Sequence, residues 1–166
     1  NVISGNIISG FGYGVVDMGE GALMRTGHNK WIKYYNSNNT ISNNIIYNVT
    51  RAGVFLGYTE NEIVSGNRIY NITGLVPWSN PSAPLDAGGI IAGGDDISGW
   101  LGFNNMNLTI KNNEINNINS DNIAYGIKVE QSQTEYPHSP ESKIFPDSIE
   151  YTKVFNNLVW GMSTNE

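Results

Sequence analysis

The chain has 166 residues, of which 39% are apolar and 14% charged, and its formal net charge is −6. This size supports a single domain, and the lack of cysteine excludes both a disulfide framework and a thiolate metal site. The acidic balance disfavours nucleic acid and anionic membranes as partners, and no apolar run approaches the length of a membrane span.

Five copies of one short phrase recur along the chain, and each has an asparagine at the same place. The copies are NVISGNII (1–8), NTISNNII (39–46), EIVSGNRI (62–69), LTIKNNEI (108–115) and TKVFNNLV (152–159). The shared residues, called the anchor asparagines below, are Asn6, Asn44, Asn67, Asn113 and Asn157. An internal repeat of this kind is typical of a stacked repeat architecture.

Apolar residues keep a fixed spacing from the anchors and form three columns. The column three residues before the anchors is Ile3, Ile41, Val64, Ile110 and Val154. The column two residues after them is Ile8, Ile46, Ile69, Ile115 and Val159, and the column five residues after them is Phe11, Val49, Ile72, Ile118 and Met162. A second phrase opens each time with a glycine, at Gly14, Gly53, Gly89 and Gly126.

The spacing of the anchors predicts the fold. Successive anchors are 38, 23, 46 and 44 residues apart, and the shortest interval has room for three short strands but shows no helical period. We therefore predict an all-β, right-handed, single-stranded parallel β-helix of about five coils, with long loops on one edge. Residues 1–166 form its single domain. Because the chain begins inside a strand phrase, we expect a fragment of a longer chain or a subunit with uncapped ends.

In such a solenoid, equal positions of successive coils lie one above another, about 4.8 Å apart. The apolar columns then become inward stacks of Ile and Val. An asparagine at a turn tolerates unusual φ and bonds the backbone, and stacked amides can bond along their column. We expect the anchors to be architectural, with Asn44 and Asn67 buried and bonded to each other or to turn backbone.

Candidate functional residues concentrate in the four predicted loops, at 17–36, 74–86, 93–106 and 130–150. Aromatic rings beside carboxylates and amides are typical of a sugar site, because rings cover the apolar sugar face and polar groups take the hydroxyls. The equally plain alternative is that these rings pack the loops onto the coils. The candidate substrate-binding residues are His28, Trp78, Asp86, Asp96 and Trp100.

Strand alternation from the glycines predicts which side chains point outward. The position after each glycine is apolar and must point inward, so the positions four and six residues after it should point outward. This assigns Glu130, Thr59 and Asp95 to the outer face, with Asp95 and Glu130 roughly 8 Å apart between Cα atoms. Asp86 lies roughly 23 Å from Glu130 along the strand, as expected of a turn cap rather than a catalytic partner.

Two carboxyl groups at the distance predicted for Asp95 and Glu130 could act as acid and base, or as acid and nucleophile, in glycoside cleavage. We expect no cofactor for this chemistry. Calcium binding is an alternative role for these acids, with Asp95 and Asp96 as oxygen ligands. A further alternative is that they form a solvated strand end without a function. Four N-x-[ST] sequons stand at Asn38, Asn48, Asn71 and Asn107; they are glycosylation sites in a secreted protein or chance products of an asparagine-rich chain.

Several of these phrases resemble a known group. The stretches RAGVFLG (51–57), DAGGIIAGGDD (86–96) and YGIKVE (125–130) look like bacterial right-handed β-helix proteins of the pectin-lyase-like superfamily, close to secreted β-helix glycoside hydrolases. The resemblance matches Asp86, Asp95 and Glu130 to acids of that group and implies the same fold and activity on polysaccharide. Gly94 and Asp96 stand where the group has arginine and tryptophan.

Two functions therefore remain open, and both imply an extracellular or cell-surface protein. The first is a carbohydrate-active enzyme that hydrolyses or otherwise cleaves a polysaccharide at the face rimmed by the loops. The second is a non-catalytic surface, adhesin or fibre subunit that self-associates through open ends of the β-helix. The composition predicts neither nucleic acid nor a membrane as partner.

Overall fold

The computed structural model describes residues 1–19, 24–25, 31–32, 36–74, 86–93, 105–129 and 152–164. Every regular element in these ranges is a β-strand, and they contain no helix that is long and apolar enough to cross a membrane. Three stacks of parallel strands follow one another around each coil. The chain is a parallel β-helix, so the predicted fold class is confirmed.

Sheet A contains the strands that precede the anchor asparagines. Its strands, in stacking order, are β1 (Val2–Ser4), β7 (Thr40–Ser42), β11 (Ile63–Ser65), β14 (Thr109–Lys111) and β17 (Lys153–Phe155). The register aligns the first apolar column, with Ile41 paired to both Ile3 and Val64. The repeat in the sequence is therefore a repeat in space.

Sheet B contains the strands that follow the anchors. Its strands are β2 (Ile7–Ser9), β8 (Ile45–Val49), β12 (Arg68–Gly74), β15 (Glu114–Ser120) and β18 (Leu158–Thr164). Ile69 pairs with Ile46 and Ile115, and Ile72 pairs with Val49. The second and third apolar columns are thus stacked as predicted.

Sheet C contains the strands of the glycine-led phrase. Its strands are β3 (Tyr13–Met18), β9 (Ala52–Gly57), β13 (Ala87–Ala92) and β16 (Ala124–Val129). Beyond it, β6 (Asn36–Ser37) pairs in parallel with β10 (Thr59–Glu60), and β4 (Met24–Arg25) pairs antiparallel with β5 (Trp31–Ile32).

The corners of the coil are made by residues with left-handed backbone. Three such columns recur, filled by asparagine or glycine, because these residues adopt positive φ at the least steric cost. The columns are Gly5, Asn43, Gly66, Asn112 and Asn156; Gly10, Asn48, Asn71, Asn117 and Gly161; and Asn38, Asn61 and Asn107. The anchor asparagines themselves do not have positive φ, so the unusual φ expected of them belongs to the residue before.

The anchor asparagines form a continuous amide ladder. Asn67 Oδ1 accepts bonds from the backbone N–H and from Nδ2 of Asn44, both at 3.0 Å. Asn67 Nδ2 in turn donates to the backbone oxygen of Ile41 and to Asn113 Oδ1, both at 2.9 Å. Asn44 and Asn67 are 1% exposed, which confirms the predicted burial and bonding of these two residues.

The core is the space between the three sheets. The middle members of the apolar columns are fully buried there, together with Val54, Leu56 and Ile90 of sheet C. The same columns are open in the first and last coils, where Phe11 is 65% and Val154 is 47% exposed. Each coil therefore covers the apolar residues of its neighbours.

The glycine column lets sheet C approach sheet B. A Cβ atom built on Gly53 would lie 2.3 Å from Ile69 Cγ2 and 2.7 Å from the backbone oxygen of Gly89. Gly89 has the same relation to Ile115 one coil further. Glycine is needed at these positions because an inward isoleucine of sheet B occupies the place of its side chain.

Candidate functional site

The carboxyl edge of sheet C, where its strands end, is the part of the described fold closest to the predicted catalytic pair. Ala92 pairs in register with Val129, and Ala92 also pairs with Leu56. Glu130 directly follows Val129 in the chain, and Asp95 follows Ala92 by three residues. The strands that lead to these two acids are therefore neighbours in one sheet.

Most predicted site residues lie outside the described residues and stay predictions. These are the catalytic pair Asp95 and Glu130, the substrate-binding residues His28, Trp78, Asp96 and Trp100, and with them the calcium alternative at Asp95 and Asp96. The interiors of the predicted loops at 74–86, 93–106 and 130–150 lie outside the described residues as well, and the interior of the loop at 17–36 is described only at β4 and β5. Within the described ranges, no group of three or more His, Asp or Glu side chains could hold a metal ion.

Asp86 is the one residue of the predicted substrate site that the structure describes. Its Oδ1 accepts a bond from Asn122 Nδ2 at 2.6 Å and from the backbone N–H of Ile123 at 3.2 Å. Both donors belong to the turn that precedes β16. Asp86 therefore ties the start of β13 to the next coil, as expected of a turn cap.

The outer face of sheet C carries an apolar patch, formed by Tyr13, Phe55 and Ile91. Phe55 and Ile91 point away from the main core but are only 5% and 8% exposed. The Tyr13 ring meets the Phe55 ring edge-on, with centroids 5.5 Å apart. These side chains form a small apolar cluster outside the main core, and Tyr13 is its partly exposed member.

Cationic side chains border this patch. Arg51 Cζ lies 5.6 Å from the centroid of the Tyr13 ring, and Lys128 Nζ lies 5.0 Å from that of Tyr125. A cation over a ring face is attracted by the quadrupole of the ring. The patch is therefore framed by polar groups at both ends of the sheet.

One orientation predicted from the alternation is wrong. Thr59 was expected to point outward but is fully buried, and its Oγ1 donates to Asn105 Oδ1 at 2.8 Å. The physical reason is Tyr58, whose φ of 51° turns the chain and ends the period of two. The outward orientation of Asp95 was inferred by the same extrapolation and no longer follows from it.

A buried polar cluster, which the sequence analysis missed, lies inside the corner beside sheet C. It consists of Asp17, Asn36, Asn39 and Glu62, and is called the acid cluster below. Asp17 accepts from Asn36 Nδ2 and, at 3.1 Å, from Asn39 Nδ2. Glu62 Oε1 accepts from the backbone N–H and from Nδ2 of Asn39, at 3.0 and 3.2 Å.

Burial is the main cause of the raised pKa of Glu62 in the acid cluster. Glu62 is 1% exposed, and this desolvation, with the charge of Asp17 as a further cause, raises its pKa from 4.5 to about 7. The bonds from Asn39 act in the opposite direction. Glu62 Oε2 is buried and accepts no bond from the described donors. The cluster is a carboxyl pair closed to a large substrate.

A signal for the acid cluster was present in the sequence. Strand alternation that puts Val15 inward also puts Asp17 inward, in a column with Leu56 and Ala92. A carboxyl group in an otherwise apolar inward column needs a buried partner. Its partner Glu62 is 45 positions away in the sequence and becomes adjacent only because the coils stack.

The four sequon asparagines all lie at corners. Each of them has a φ between 51° and 59°, and Asn71 Nδ2 donates to Asn48 Oδ1 at 3.2 Å. The left-handed corner therefore accounts for asparagine at these positions without glycan. Whether the side chains carry glycan stays a prediction.

Comparison with known proteins gives one match. The family model described as a right handed beta helix region matches residues 1–143. No curated protein matches the chain, and no solved structure matches it. The stacked sheets described above and this match agree on the architecture.

Proposed function

The chain belongs to the right-handed β-helix family, and on that premise we propose that it is an extracellular protein that binds and cleaves a polysaccharide. The observation that carries this proposal is the register of Ala92 with Val129 at the carboxyl edge of sheet C. In the chain, Asp95 and Glu130 come soon after the ends of β13 and β16, and these neighbouring strands are about 4.8 Å apart. On this proposal the two carboxyl groups meet at that edge, where a pair of acids is sufficient to cleave a glycosidic bond.

Substrate binding is proposed along the outer face of sheet C. Tyr13, the partly exposed ring of the apolar patch, supplies the kind of surface that covers a sugar ring, and the buried Phe55 and Ile91 belong to the cluster it packs against. Trp78, Trp100 and His28 belong to segments that continue from the ends of these coils, and we assign them, with Asp96, to binding sugar hydroxyls and ring faces. Asp86 is left out of this role, because its carboxylate is engaged with the turn before β16.

In the proposed reaction, one carboxyl group of the pair donates a proton to the leaving glycosidic oxygen while the other acts as base or nucleophile. A lyase-type cleavage would use the same pair as base and acid. The chemistry needs no cofactor. Calcium at Asp95 and Asp96 is the alternative use of these oxygens.

The test is a pair of isosteric substitutions assayed on a panel of polysaccharides by release of reducing ends and of unsaturated products. We expect Asp95→Asn and Glu130→Gln each to abolish turnover while leaving the thermal midpoint nearly unchanged. Glu114→Gln is the matched control, because Glu114 is an exposed partner of Arg68 on sheet B. If both substitutions leave turnover intact on a substrate that the wild type cleaves, the paired-acid assignment is wrong.

A second candidate function is a non-catalytic surface or fibre subunit. It is favoured by the exposed apolar columns of the outer coils, where Phe11, Val154 and Met162 lack the cover that their equivalents have in the middle. A second copy stacked end to end would bury these residues. Association that depends on concentration, in a chain that cleaves no polysaccharide of the panel, would favour this candidate over the first.

A further inference from the structure

We propose that Glu62 holds a proton that it donates toward Asp17 inside the acid cluster, and that the two side chains so form a pH-dependent clasp. The clasp joins the end of β3 to the two coils that follow it. It is closed while the proton is present and loosens when the proton leaves. This inference does not depend on the proposed enzymatic function, because the cluster is closed to a polysaccharide.

The geometry brings the two carboxyl groups together. The single nitrogen Nδ2 of Asn39 donates to Asp17 Oδ2 at 3.1 Å and to Glu62 Oε1 at 3.2 Å. One amide has two N–H bonds, so each carboxyl group receives one. The accepting oxygens therefore lie within the roughly 4–6 Å range in which like charges repel strongly.

The remaining oxygen of Glu62 is the place for the proton. Asp17 already accepts from Asn36 and Asn39, and Glu62 Oε1 accepts twice from Asn39. Oε2 alone is buried without a donor. A proton on Oε2 removes a buried charge and turns that oxygen into a donor toward Asp17, and a hydrogen bond between the two carboxyl groups is among the causes that raise the pKa of Glu62.

The surroundings contain no described group that could neutralise a second charge. The coil before Glu62 presents Asn39, and the coil after it presents the buried Leu108 in the same column. Asn36 and Thr59 fill the adjacent inward column as neutral groups. Glu60 belongs to the outward alternate position of β10 and pairs in register with Ser37. Asp17 on β3 is the charged group that acts on Glu62.

The sign of the pH dependence follows from linkage. The pKa of Glu62 is about 7 in the folded chain against 4.5 as its ordinary value, so between these values the folded state holds a proton that the unfolded state has lost. The stabilisation is therefore complete below about pH 4.5, decreases as the pH rises toward 7 and is lost above it.

Loosening of the clasp has a local consequence. Around the cluster, the backbone N–H of Gly19 donates to Gly57, that of Asn36 to Tyr58 and that of Asn38 to Glu60. These bonds hold the β3 end and β6 on the next coil. We expect them to open first when Glu62 ionises, because a pair of buried like charges forms beside them.

The experiment compares the wild type with Glu62→Gln in chemical unfolding from pH 5 to pH 8. Glutamine keeps the acceptor for Asn39 and supplies a permanent donor to Asp17. We expect the folding constant of the wild type to fall roughly 50- to 100-fold relative to that of Glu62→Gln over this range. Exchange of the Gly19, Asn36 and Asn38 amides should also be faster at pH 8 in the wild type than in the variant at the same pH. Glu114→Gln should follow the wild type.

A direct titration keeps the proposal testable even if Glu62→Gln does not fold. In wild-type protein with ¹³C-labelled glutamate, one side-chain carboxyl resonance should titrate near pH 7, and Asp17→Asn should lower that midpoint by removing the charge beside it. The proposal is overturned if every glutamate titrates below about pH 5.5, near the ordinary range. It is also overturned if wild type and Glu62→Gln unfold with parallel pH dependence.

Discussion

At the scale of single residues, the amide ladder explains why the anchor must be asparagine. Each interior anchor accepts with Oδ1 and donates with Nδ2 to a backbone oxygen and to the next anchor, as Asn113 does toward Val64 and Asn157. Aspartate has no donor, and glutamine reaches one methylene too far. The side chain is therefore set by the hydrogen-bonding groups of two neighbouring coils at once.

We expect Asn67→Ala to lower the free energy of unfolding by about 1–3 kcal/mol, because it removes the buried oxygen that accepts from Asn44 and the amide that donates to the Ile41 carbonyl. Chemical unfolding monitored by circular dichroism measures the loss. Asn6→Ala is the matched control and should cost less, because Asn6 stands at the exposed end of the ladder. A loss of only a few tenths of a kcal/mol for Asn67→Ala would contradict a structural role for the ladder.

The sequence predicted this ladder well, because its partners are repeats of the same residue. Only the position of the left-handed backbone was predicted wrongly, because it was expected at the anchor itself. The corner lies at the residue before the anchor, where the chain alternates glycine and asparagine, as in Gly66 and Asn43. That alternation is itself the signal of left-handed φ, since glycine and asparagine are residue types that adopt this conformation readily.

At the scale of elements, the approach of sheet C to sheet B depends on the glycine column. Ile69 reaches across the core into the space that a side chain at Gly53 would occupy. The two sheets are therefore closer at this line than two rows of apolar side chains would allow. The strand β9 cannot move away from sheet B to make room, because it would lose its pairing with both β3 and β13.

We expect Gly53→Ala to destabilise the fold by about 3 kcal/mol, because the added methyl overlaps both Ile69 and backbone that cannot rearrange. Gly12→Ala is the matched control, since the nearest atom to its Cβ would be Thr50 Oγ1 at 3.8 Å. Thermal unfolding of the two variants compares them. Equal midpoints would show that sheets B and C can separate to admit the methyl.

Strand alternation was reliable inside the strands and failed at their ends. It placed Val54 and Ile90 correctly in the core. It failed at Thr59, because one left-handed residue, Tyr58, reverses the facing of everything after it. Predictions carried past a strand end, including the outward orientation of Asp95, need the turn to be known.

At the scale of the whole molecule, the interior is a continuous column that each coil closes for its neighbours. Middle-coil residues such as Ile46 and Ile110 are fully buried, whereas Ile3 and Met162 of the outer coils are partly open. The exposed residues belong to the same inward columns. The two end faces of the stack therefore expose apolar residues whose equivalents in the middle coils are buried.

We expect the chain to associate with increasing concentration through these end faces, measured by size-exclusion chromatography with light scattering. Val154→Lys should suppress the association, because it puts a charge into an inward column of the last coil. Ile123→Lys is the control, since Ile123 is equally exposed but lies in the turn before β16. A monomer at every concentration would contradict end-to-end stacking.

The candidate site was far less predictable than the fold, for a physical reason. Repeated positions are restrained by equal residues above and below, so one pattern gives both their facing and their burial. The segments that contain Asp95, Trp100 and Glu130 have no equivalent in the shortest coil. Nothing in the repeat restrains their orientation, so their chemistry was inferred from residue types, from alternation extrapolated past the strand ends and from a family resemblance.

The amide ladder also makes the molecule modular. Every interior anchor offers the coil above and the coil below the same donor and acceptor pattern, so the ladder does not distinguish one coil from another. Excision or duplication of one 23-residue period, such as 44–66, would leave an asparagine at every anchor position of the ladder. Such a chain can therefore change its length by whole coils without new chemistry at the joint, and its insertions are free to differ from coil to coil.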